Sequence, residues 1–551
     1  MPKQIVIVGG VAGGATAAAK ARREDEHAEI TIFERGPYVS FANCGMPYYL
    51  GGDIVVRDNL LLMTPESFYQ KYRVNVHVGH EVVTINRDSK EILSRDANSL
   101  QQRHPYDKLI LSQGAAPLRP PIKGIDQDHV FTLRDIPDMD RIENFLKQRY
   151  PKSAVIIGGG FIGLEMAEAF HNRGLAVTVV EQAPHIMSGL DDDVAAECTA
   201  AALRDGFDIK AGRKVDTINA EHVVLDDDLS VAGDLVLISA GVSPEVALAK
   251  EAGLEIGPTG GVAVNALLET SDPDILAVGD AAEVTHRITG RRTRIALAGP
   301  ANRQGRIAGI NVTGGHAIYR GALGTSIVRL FENAIAITGL STRAAEEIGY
   351  RVITSMTRDL SHAGYYPGAE TVISKLIIDQ STGRILGAQV FGRDGVDKRI
   401  DVYACAIDNG VTVDNLAQTD FAYSPPFGLA NDPVNQASFT AEHILHRDVR
   451  VITSADDVPP GACLLDVREA SEIESFGTLD GSTHIPLGEL RDSIDRVPRD
   501  RPVVVFCQKG QRGYLATRIL RGSGFGEVIN LAGGYLQARH NGWQVASTIS
   551  Q

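Results

Sequence analysis

Two segments of this 551-residue chain repeat one pattern, and that repeat constrains the fold more than any other feature. In each segment an apolar strand runs into a glycine-rich turn, a helix follows, and a second strand ends in a glutamate. The first copy begins at residues 5–8 and ends at Glu34, and the second begins at residues 154–157 and ends at Glu181. This order is typical of a βαβ unit that binds a dinucleotide. Two copies therefore predict two related nucleotide-binding domains.

The glycines and the glutamates of these units have separate tasks. A pyrophosphate needs backbone amides at a helix N-terminus, and glycine lets the chain approach it closely. The second unit has all three glycines of this fingerprint, whereas the first has Val11 at the middle position. The final carboxylate can accept a hydrogen bond from a ribose 2′-OH and repels a 2′-phosphate, so Glu181 predicts NADH, with NADPH as the alternative. The predicted cofactor-binding residues of the two units are Gly9, Gly14, Glu34, Arg35, Gly158, Gly160, Gly163 and Glu181.

A third segment distinguishes a flavin from a second nicotinamide. Residues 275–282 read Ile-Leu-Ala-Val-Gly-Asp-Ala-Ala and resemble the second flavin motif of flavoproteins that have two dinucleotide-binding domains. In that family the aspartate, here Asp280, hydrogen-bonds the ribityl chain of FAD. Residues 109–115 resemble the family's linking motif, with Ser112-Gln113 in place of the commoner Ala-Thr. The resemblance implies FAD in the first unit.

A lone cysteine follows soon after the first glutamate. Residues 40–49 read Ser-Phe-Ala-Asn-Cys-Gly-Met-Pro-Tyr-Tyr, and an internal redox disulfide would need a second cysteine where Pro47 or Tyr49 stands. A single thiol beside a flavin can instead hold the substrate itself as a mixed disulfide. We therefore interpret Cys44 as the redox nucleophile. Three further cysteines are interpreted as small buried hydrophobes: Cys198, Cys405 and Cys463.

With these motifs in view, positions 1 to about 445 resemble coenzyme A disulfide reductases and their persulfide-reducing relatives. The resemblance implies that coenzyme A is the bound thiol or the substrate. It also implies that the first helix binds the phosphates of the coenzyme and that residues next to Cys44 line the substrate pocket. The substrate-binding residues so implied are Thr16, Lys20, Arg23, Ser40 and Asn43.

Two later segments, residues 364–368 and 421–427, resemble places where this family sets tyrosines near the thiol of the other subunit. Tyr366 and Tyr423 are therefore candidate proton donors to a leaving thiolate. The alternative is that both tyrosines only pack in a dimer interface.

The last hundred residues carry a second thiol in a different setting. Cys507 ends the apolar strand 503–506, and a glycine-containing loop after it runs into a helix, where amides and the helix dipole favour a thiolate and then a persulfide. The segment resembles rhodanese domains. A cysteine phosphatase would need arginine where Gly513 stands, so sulfur is favoured over phosphate. The predicted rhodanese loop comprises Gln508, Lys509, Gly510, Gln511 and Arg512.

These motifs predict an α/β chain with two Rossmann-like domains for FAD and NADH, an α+β dimerisation domain and a C-terminal α/β rhodanese domain. The predicted boundaries are 1–150 and 269–324 for the FAD domain, 151–268 for the NAD(P)H domain, 325–446 for dimerisation, 447–461 for a linker and 462–551 for the rhodanese domain.

The formal net charge of −15 argues against nucleic acid as a partner, because phosphate backbones are bound by positive surfaces. The five cysteines are widely spaced without a CxxC pair, which favours a reducing compartment and gives no metal site. The sequence holds no apolar run of the ~20 residues needed to cross a bilayer. We expect a cytoplasmic homodimer that acts on a small thiol, persulfide or disulfide, with no nucleic acid, membrane or metal.

Together these features predict an FAD-dependent, NADH-using reductase of coenzyme A persulfide, polysulfide or disulfide. Sulfane sulfur on Cys507 would be handed to coenzyme A or directly toward Cys44. One alternative is an NADH oxidase or peroxidase in which Cys44 cycles through sulfenic acid. A second alternative is a sulfur-carrier protein whose flavin is structural.

Overall fold

The computed structural model of the chain describes residues 2–540 and 543–546. These residues form two compact units, Met1–Pro184 with Phe207–Gly324, and His185–Gly206 with Thr325–Gln551. Parallel sheets in both units and a five-stranded antiparallel sheet in the second unit confirm the predicted mixture of α/β and α+β domains. Within the described residues, no helix combines the length and the apolar character needed to cross a membrane.

The first nucleotide-binding domain is built on a five-stranded parallel sheet whose central strand is Gln4–Val8. Ile5 and Ile7 of that strand are fully buried, as expected where a parallel sheet is covered on both faces. The strand order is Ile275–Ala277, Lys108–Leu111, Gln4–Val8, Glu29–Glu34, Val74–Val78. An antiparallel sheet of Glu81–Asn86, Glu91–Arg95 and Gln101–Pro105 also belongs to this unit. The helices of this part are Ala12–Glu24, Met46–Gly51, Pro65–Tyr72, Ala247–Glu251 and Ala298–Asn311.

The second nucleotide-binding domain repeats this design. Its five parallel strands follow the order Asp208–Ala211, Ala176–Glu181, Ser153–Ile157, Leu235–Ile238, Val130–Phe131. The helix Phe161–Asn172 follows the central strand, and the helix Ile136–Arg149 precedes it. A small antiparallel sheet comprises Val215–Ile218, His222–Leu225 and Ser230–Ala232.

The chain returns to the first domain earlier than residue 269, where the sequence analysis sets the boundary. The strand Val242–Pro244 pairs with Ala115–Pro117, and Leu254 and Leu268 are buried in the core around the first sheet. Short strands complete this return: Val262–Ala263, Ala282–Thr285 and Arg292–Thr293. The helix Asp192–Arg204, counted with the NAD(P)H domain in the sequence analysis, lies in the second unit.

The second unit begins with a five-stranded antiparallel sheet. Its strand order is Ser326–Leu330, Asn333–Gly339, Ile385–Gly392, Thr371–Asp379, Val352–Leu360. Lys375 of this sheet is buried and donates to the carboxylates of Asp191 and Asp193 at 2.9 and 2.6 Å, which ties the helix Asp192–Arg204 to the sheet. The other helices are Thr342–Glu347, Val396–Asp408, Val413–Ala417 and Pro433–Leu445.

The C-terminal domain has its own five-stranded parallel sheet, in the order Arg450–Ile452, Val528–Leu531, Val503–Phe506, Cys463–Asp466, Thr483–His484. Its edge strand Arg450–Ile452 lies inside the interval 447–461 that the sequence analysis assigns to a linker. The sheet pairs this strand with Val528–Leu531, so part of that interval is folded. The helices are Ala470–Phe476, Gln511–Gly522 and Gly534–His540.

Candidate active sites

The two glycine turns of the nucleotide-binding domains have nearly the same geometry. Gly9 and Gly158 both adopt left-handed backbone angles, with φ of 95° and 110°. A Cβ on Gly14 would overlap the carbonyl oxygen of Gly9, and a Cβ on Gly163 would overlap that of Gly158. Glycine is therefore required at these four positions if helix and strand are to lie this close.

The two strand-end glutamates also repeat each other. Glu34 accepts hydrogen bonds from the amides of Gly10 and Gly36, both at 2.8 Å. Glu181 accepts them from Gly159 and Ala183, both at 2.7 Å. Each carboxylate is thus fixed at the rim of its glycine turn, where it keeps lone pairs for a ribose hydroxyl.

The middle position of the glycine fingerprint is where the two turns differ. Gly160 directly precedes the helix Phe161–Asn172, and a Cβ added to it would have no atom within 4 Å. Val11 holds the same place before the helix Ala12–Glu24 and lines a cavity. Gly9 and Gly13 also line this cavity, so the first turn borders it despite the departure at Val11.

This cavity has a volume of about 760 Å³ and is lined by residues of both flavin-like motifs. Gly9, Glu34, Gln113 and Asp280 are among its walls. Pockets for small molecules and cofactors usually measure about 300–1,000 Å³. Arg35 lines it too, and its guanidinium pairs with Glu245 at 2.8 Å.

Two side chains of the cavity wall fit a polar ligand such as FAD. Both amide atoms of Gln113 are buried, and neither has a hydrogen-bond partner among the described residues. A buried amide without partners is costly, so its presence favours a ligand that satisfies it. Burial raises the pKa of Asp280, with Arg134 opposing the shift. Amide and carboxyl together can hydrogen-bond the hydroxyls and ring edge of such a ligand.

Cys44 lies in a single turn of 3-10 helix, Asn43–Gly45, directly before the helix Met46–Gly51. The residue is exposed. Its amide donates to Oδ1 of Asn43 at 3.1 Å, and its Sγ lies 3.7 Å from the same oxygen. Asn43 also lines the cavity, so the turn that carries the thiol borders it.

The turn of Cys44 is preceded by a strained residue. Ser40 has a φ of 49°, a left-handed angle that is uncommon for a residue with a side chain. Its amide donates to the carbonyl of Gly10 at 2.8 Å, and its carbonyl accepts from the amide of Leu62 at 3.0 Å. These bonds hold Ser40 between the glycine turn and the segment after Cys44, a place where strain is typical of functional sites.

The charges around Cys44 do not favour its thiolate. Desolvation by the surrounding protein, and then the negative charges of Glu165 and Asp280, raise the pKa of Cys44 above its ordinary value. Glu165 is held by the hydroxyl of Tyr48, which donates to it at 3.1 Å. The thiol is therefore harder to ionise than an ordinary cysteine, and its thiolate is the more nucleophilic when it forms.

The predicted phosphate-binding residues share one face of the helix Ala12–Glu24, since Thr16, Lys20 and Arg23 are spaced by four and three residues. Thr16 donates to the side chain of Asn302 at 2.6 Å, Lys20 pairs with Glu24, and Arg23 is exposed.

The helix Ala298–Asn311 lies against the helix Ala12–Glu24 at a distance that glycine permits. A Cβ on Gly305 would overlap the carbonyl of Gly13, and one on Gly309 would lie 2.6 Å from the carbonyl of Ala17. Arg306, one turn after Asn302, is exposed on this second helix. Sequence reasoning missed Asn302 and Arg306, because only the close approach of the two helices associates them with Thr16 and Lys20.

The two tyrosine segments meet through Tyr365 and Tyr423, while the role of Tyr366 as a proton donor stays a prediction. The hydroxyls of Tyr365 and Tyr423 lie 2.9 Å apart. The ring of Tyr366 instead packs edge-on against His362, with the two ring centroids 5.7 Å apart. Tyr365 and Tyr423 are 77% and 47% exposed, so the pair faces outward. The segment Tyr365-Tyr366 signalled a tyrosine at this place, but not which of the two neighbours would reach Tyr423.

Cys507 directly follows the strand Val503–Phe506 and is 1% exposed. Its Sγ accepts the amide of Gly510 at 3.1 Å, and Gly510 precedes the helix Gln511–Gly522 with a φ of 109°. The loop thus directs a backbone donor at the sulfur, as predicted for a site that stabilises an anionic sulfur.

Side chains around this loop hold it in place. Arg512 donates to both carboxylate oxygens of Glu472, at 2.6 and 2.7 Å. Gln508 accepts from the guanidinium of the fully buried Arg468 at 3.0 Å. Lys509 and Gln511 are exposed at the surface of the loop. The predicted loop residues therefore divide into two that fix the loop and two that face solvent, with Gly510 at the sulfur.

Models of three protein families match the chain. Residues 3–305 match the pyridine nucleotide-disulphide oxidoreductases, residues 325–432 match the dimerisation domain of the same enzymes, and residues 452–540 match the rhodanese-like domain.

Several known proteins are similar over most of their length. A coenzyme A disulfide reductase of Staphylococcus aureus is 33% identical over 445 residues, which cover 80% of this chain and 100% of that protein. A solved structure of reduced CoADR-RHD from Bacillus anthracis is 41% identical, with a TM-score of 0.95 and 98% of each chain covered. An NAD-dependent persulfide reductase from A. fulgidus is 34% identical, with a TM-score of 0.93 over 97% of this chain and 99% of that one.

Proposed function

The chain belongs to the pyridine nucleotide-disulphide oxidoreductase family, and we propose that it reduces coenzyme A persulfide, polysulfide or disulfide through one cysteine, Cys44. The observation that carries this proposal is a solitary exposed thiol on a turn bordering the large cavity, with Pro47 and Tyr49 where a second redox cysteine would stand. A thiol without an internal partner must form its disulfide with the substrate.

The cofactors of this family are FAD and a nicotinamide nucleotide. Glu34, Gln113 and Asp280 are the residues that would hold FAD, because they line the cavity and include the unpartnered amide. When bound, FAD accepts a hydride from the nicotinamide and supplies two electrons to the sulfur of Cys44. The second glycine turn would hold the nicotinamide nucleotide, and the fixed carboxylate of Glu181 supports NADH over NADPH.

Cys44 carries the sulfur chemistry. Its thiolate attacks the sulfur atom nearest the coenzyme in CoA–S–SH, which forms Cys44–S–S–CoA and expels hydrosulfide. With coenzyme A disulfide the same attack expels the thiolate of coenzyme A. Two electrons then cleave the mixed disulfide and return two thiolates, one on Cys44 and one on coenzyme A. The proton of Cys44 passes to solvent before the attack, and the raised pKa of Cys44 favours the return of a proton once the mixed disulfide is cleaved.

Tyr365 and Tyr423 would supply the proton for the departing coenzyme. Their hydroxyls form one hydrogen-bonded pair at 2.9 Å and face outward, which supports a role in the site of a second subunit. We therefore propose a homodimer in which Tyr365, rather than Tyr366, acts with Tyr423. The match to the family's dimerisation domain supports this assembly.

The coenzyme would lie along the helix Ala12–Glu24. Thr16, Lys20 and Arg23 share one face of that helix, and Arg306 adds a further exposed positive charge on the neighbouring helix. These groups suit the phosphates of coenzyme A.

Residues near the thiol would bind the other end of the coenzyme. Asn43 lies next to Cys44 on the turn that carries it, and Ser40 precedes that turn, so both are candidates to contact the pantetheine end.

The rhodanese domain would supply the persulfide. The thiolate of Cys507 takes the outer sulfur of a donor such as thiosulfate, which leaves as sulfite, and becomes Cys507–S–SH. The thiolate of coenzyme A then takes the outer sulfur to give CoA–S–SH and the Cys507 thiolate. Direct transfer from Cys507 toward Cys44 is the alternative route. The five cysteines are all free, which supports the expectation of a reducing compartment such as the cytoplasm.

Steady-state oxidation of NADH tests the proposal when coenzyme A persulfide, polysulfide, coenzyme A disulfide and air are offered separately. We expect at least one sulfur acceptor to be reduced much faster than oxygen, and Cys44→Ser to abolish that rate. Rapid NADH consumption in air alone would instead favour an oxidase. A flavin that NADH does not reduce would favour the sulfur carrier.

A further inference from the structure

The two segments that carry the tyrosine pair are residues 361–367 and 421–428, called here the two tyrosine loops. They contact each other through the paired hydroxyls of Tyr365 and Tyr423 and through a backbone bond from the amide of Ala363 to the carbonyl of Pro425 at 3.3 Å. Since both tyrosine side chains face solvent, their own packing does not fix where the hydroxyls lie. Their position depends on what holds the loops.

Arg399, on the helix Val396–Asp408, holds the first loop. Its side chain is 1% exposed, and Nη2 donates to the carbonyl of Ser361 at 2.6 Å. Nε and Nη2 also donate to the two carboxylate oxygens of Asp432, at 3.2 and 2.9 Å. Space for the guanidinium is kept by Gly395, where a Cβ would overlap Nη1.

Lys398, the preceding residue, holds the second loop. Its ammonium donates to the carbonyl of Phe427 at 3.4 Å and to Asp432 at 3.1 Å. Asp432 follows this loop and caps the helix Pro433–Leu445 by accepting the amide of Val434 at 3.0 Å. Lys398 and Arg399 therefore share the carboxylate of Asp432, and each also binds a backbone carbonyl of one tyrosine loop.

The carboxylate of Asp432 stays ionised at neutral pH. Asp432 is 2% exposed. Burial alone would raise its pKa, but hydrogen bonds from Arg399 and Val434 and the charges of Arg399 and Lys398 lower it below its ordinary range. Charge-assisted bonds of this kind in a buried site are geometrically specific, and loss of one partner leaves the others uncompensated.

We propose that Lys398 and Arg399 are positioning residues that set the Tyr365–Tyr423 pair for proton transfer. This inference rests on the proposed function of the tyrosines. Neither residue contacts the reacting sulfur in this account. They act through the loop carbonyls of Ser361 and Phe427, and a shift of about 1 Å in a catalytic group can lower a rate by as much as about 100-fold.

The test uses the full-length enzyme and four variants. Lys398→Met and Arg399→Lys remove or shorten a bond to a loop, and Lys398→Arg is the conservative rescue. Lys375→Met is the matched control, because it removes a buried ammonium from the same domain and its bonds go to Asp191 and Asp193 on another helix. Should Arg399→Lys fail to fold, the more exposed Lys398 still carries the test.

We expect kcat with coenzyme A disulfide to fall about tenfold in Lys398→Met and Arg399→Lys, with KM for NADH unchanged. Lys398→Arg should restore kcat, and Lys375→Met should lower the melting temperature while kcat stays the same. Amides of the two tyrosine loops should exchange hydrogen faster in Lys398→Met and Arg399→Lys than in Lys375→Met. A wild-type kcat in both Lys398→Met and Arg399→Lys would overturn the inference.

The double variant Tyr365→Phe/Tyr423→Phe separates this failure from failure of the proposed function. If the double variant lowers kcat, adding Lys398→Met to it should change kcat by less than about twofold, because Lys398 then has no tyrosine hydroxyls to position. An undiminished tenfold effect in that background would refute positioning. If the double variant itself keeps the wild-type kcat, the catalytic role of the tyrosines fails, and the inference fails with it.

Discussion

Cys44 and Cys507 both lie on turns that lead into helices, yet their surroundings are opposite. Cys44 is exposed, and the residues that act on it electrostatically are the acids Glu165 and Asp280. Cys507 is buried, accepts an amide hydrogen bond, and belongs to a loop that contains Lys509 and Arg512. One chain therefore holds a thiol whose surroundings raise its pKa and a thiol whose sulfur accepts a backbone hydrogen bond.

This difference shows what each site leaves to its partners. The loop of Cys507 directs a backbone donor at its own sulfur, which suits the proposed sulfur carrier. No such donor to the sulfur of Cys44 is seen among the described residues, so in the proposed mechanism its reactivity comes from what binds in the neighbouring cavity and from the tyrosine pair. If the two thiols were interchangeable this difference would have no functional meaning, and four predictions test the difference.

The largest effect is expected for Cys44→Ser. Removing the attacking sulfur should lower NADH-driven reduction of coenzyme A disulfide by at least about 1,000-fold, because no other group can form the mixed disulfide. Cys507→Ser is the matched control and should keep the wild-type rate with this acceptor. A Cys44→Ser enzyme that still reduces the disulfide would remove the distinction between the two thiols.

Cys507→Ser should abolish sulfur transfer from thiosulfate to coenzyme A, with a loss of about 100-fold or more. The measurement is the formation of coenzyme A persulfide without NADH, and Cys44→Ser should retain it. If Cys507→Ser left both this transfer and persulfide reduction unchanged, the proposed supply of persulfide by the rhodanese domain would be wrong.

A smaller effect is expected where the Cys507 loop is fixed. Arg512→Lys replaces a bidentate pair with Glu472 by a single contact, and we expect sulfur transfer to fall about tenfold. Glu472→Gln should have a similar effect, because it weakens the same contact from the other side. Reduction of coenzyme A disulfide is the internal control, and a parallel loss there would indicate general misfolding.

The smallest effect concerns the pKa of Cys44. Glu165→Gln removes a negative charge that disfavours the thiolate, so the pKa should fall and the thiolate fraction at pH 7 should rise. Alkylation of the Cys44 peptide by iodoacetamide, followed by mass spectrometry, should then be about threefold faster at pH 7 and converge with wild type at alkaline pH. Tyr48→Phe keeps the charge of Glu165 and should give no acceleration. Slower alkylation of Glu165→Gln would reverse the assigned sign.

Much of the architecture follows from local sequence patterns. The strand, turn and helix order of both nucleotide-binding units is predictable, because glycines such as Gly14 and Gly163 are demanded by the close approach of helix and strand. The solitary nature of Cys44 can likewise be read from Pro47 and Tyr49.

Features that depend on distant contacts could not be predicted. The partner of Tyr423 is Tyr365, 58 residues earlier, and only the contact between two loops selects it over Tyr366. The edge strand Arg450–Ile452 is three residues long and forms by pairing with Val528–Leu531, so its own sequence resembles a linker. The ion pairs of Lys398 and Arg399 with Asp432 correspond to no recognisable sequence motif.

The central claim is that Cys44 itself bonds covalently to coenzyme A, and trapping that bond tests it directly. The enzyme, freed of NADH, is mixed with coenzyme A disulfide, digested without reductant and analysed by mass spectrometry. We expect one coenzyme A adduct on the Cys44 peptide, lost after NADH is added and absent from Cys44→Ser. Adducts confined to other cysteines, or turnover of the disulfide with an unmodified Cys44, would contradict it.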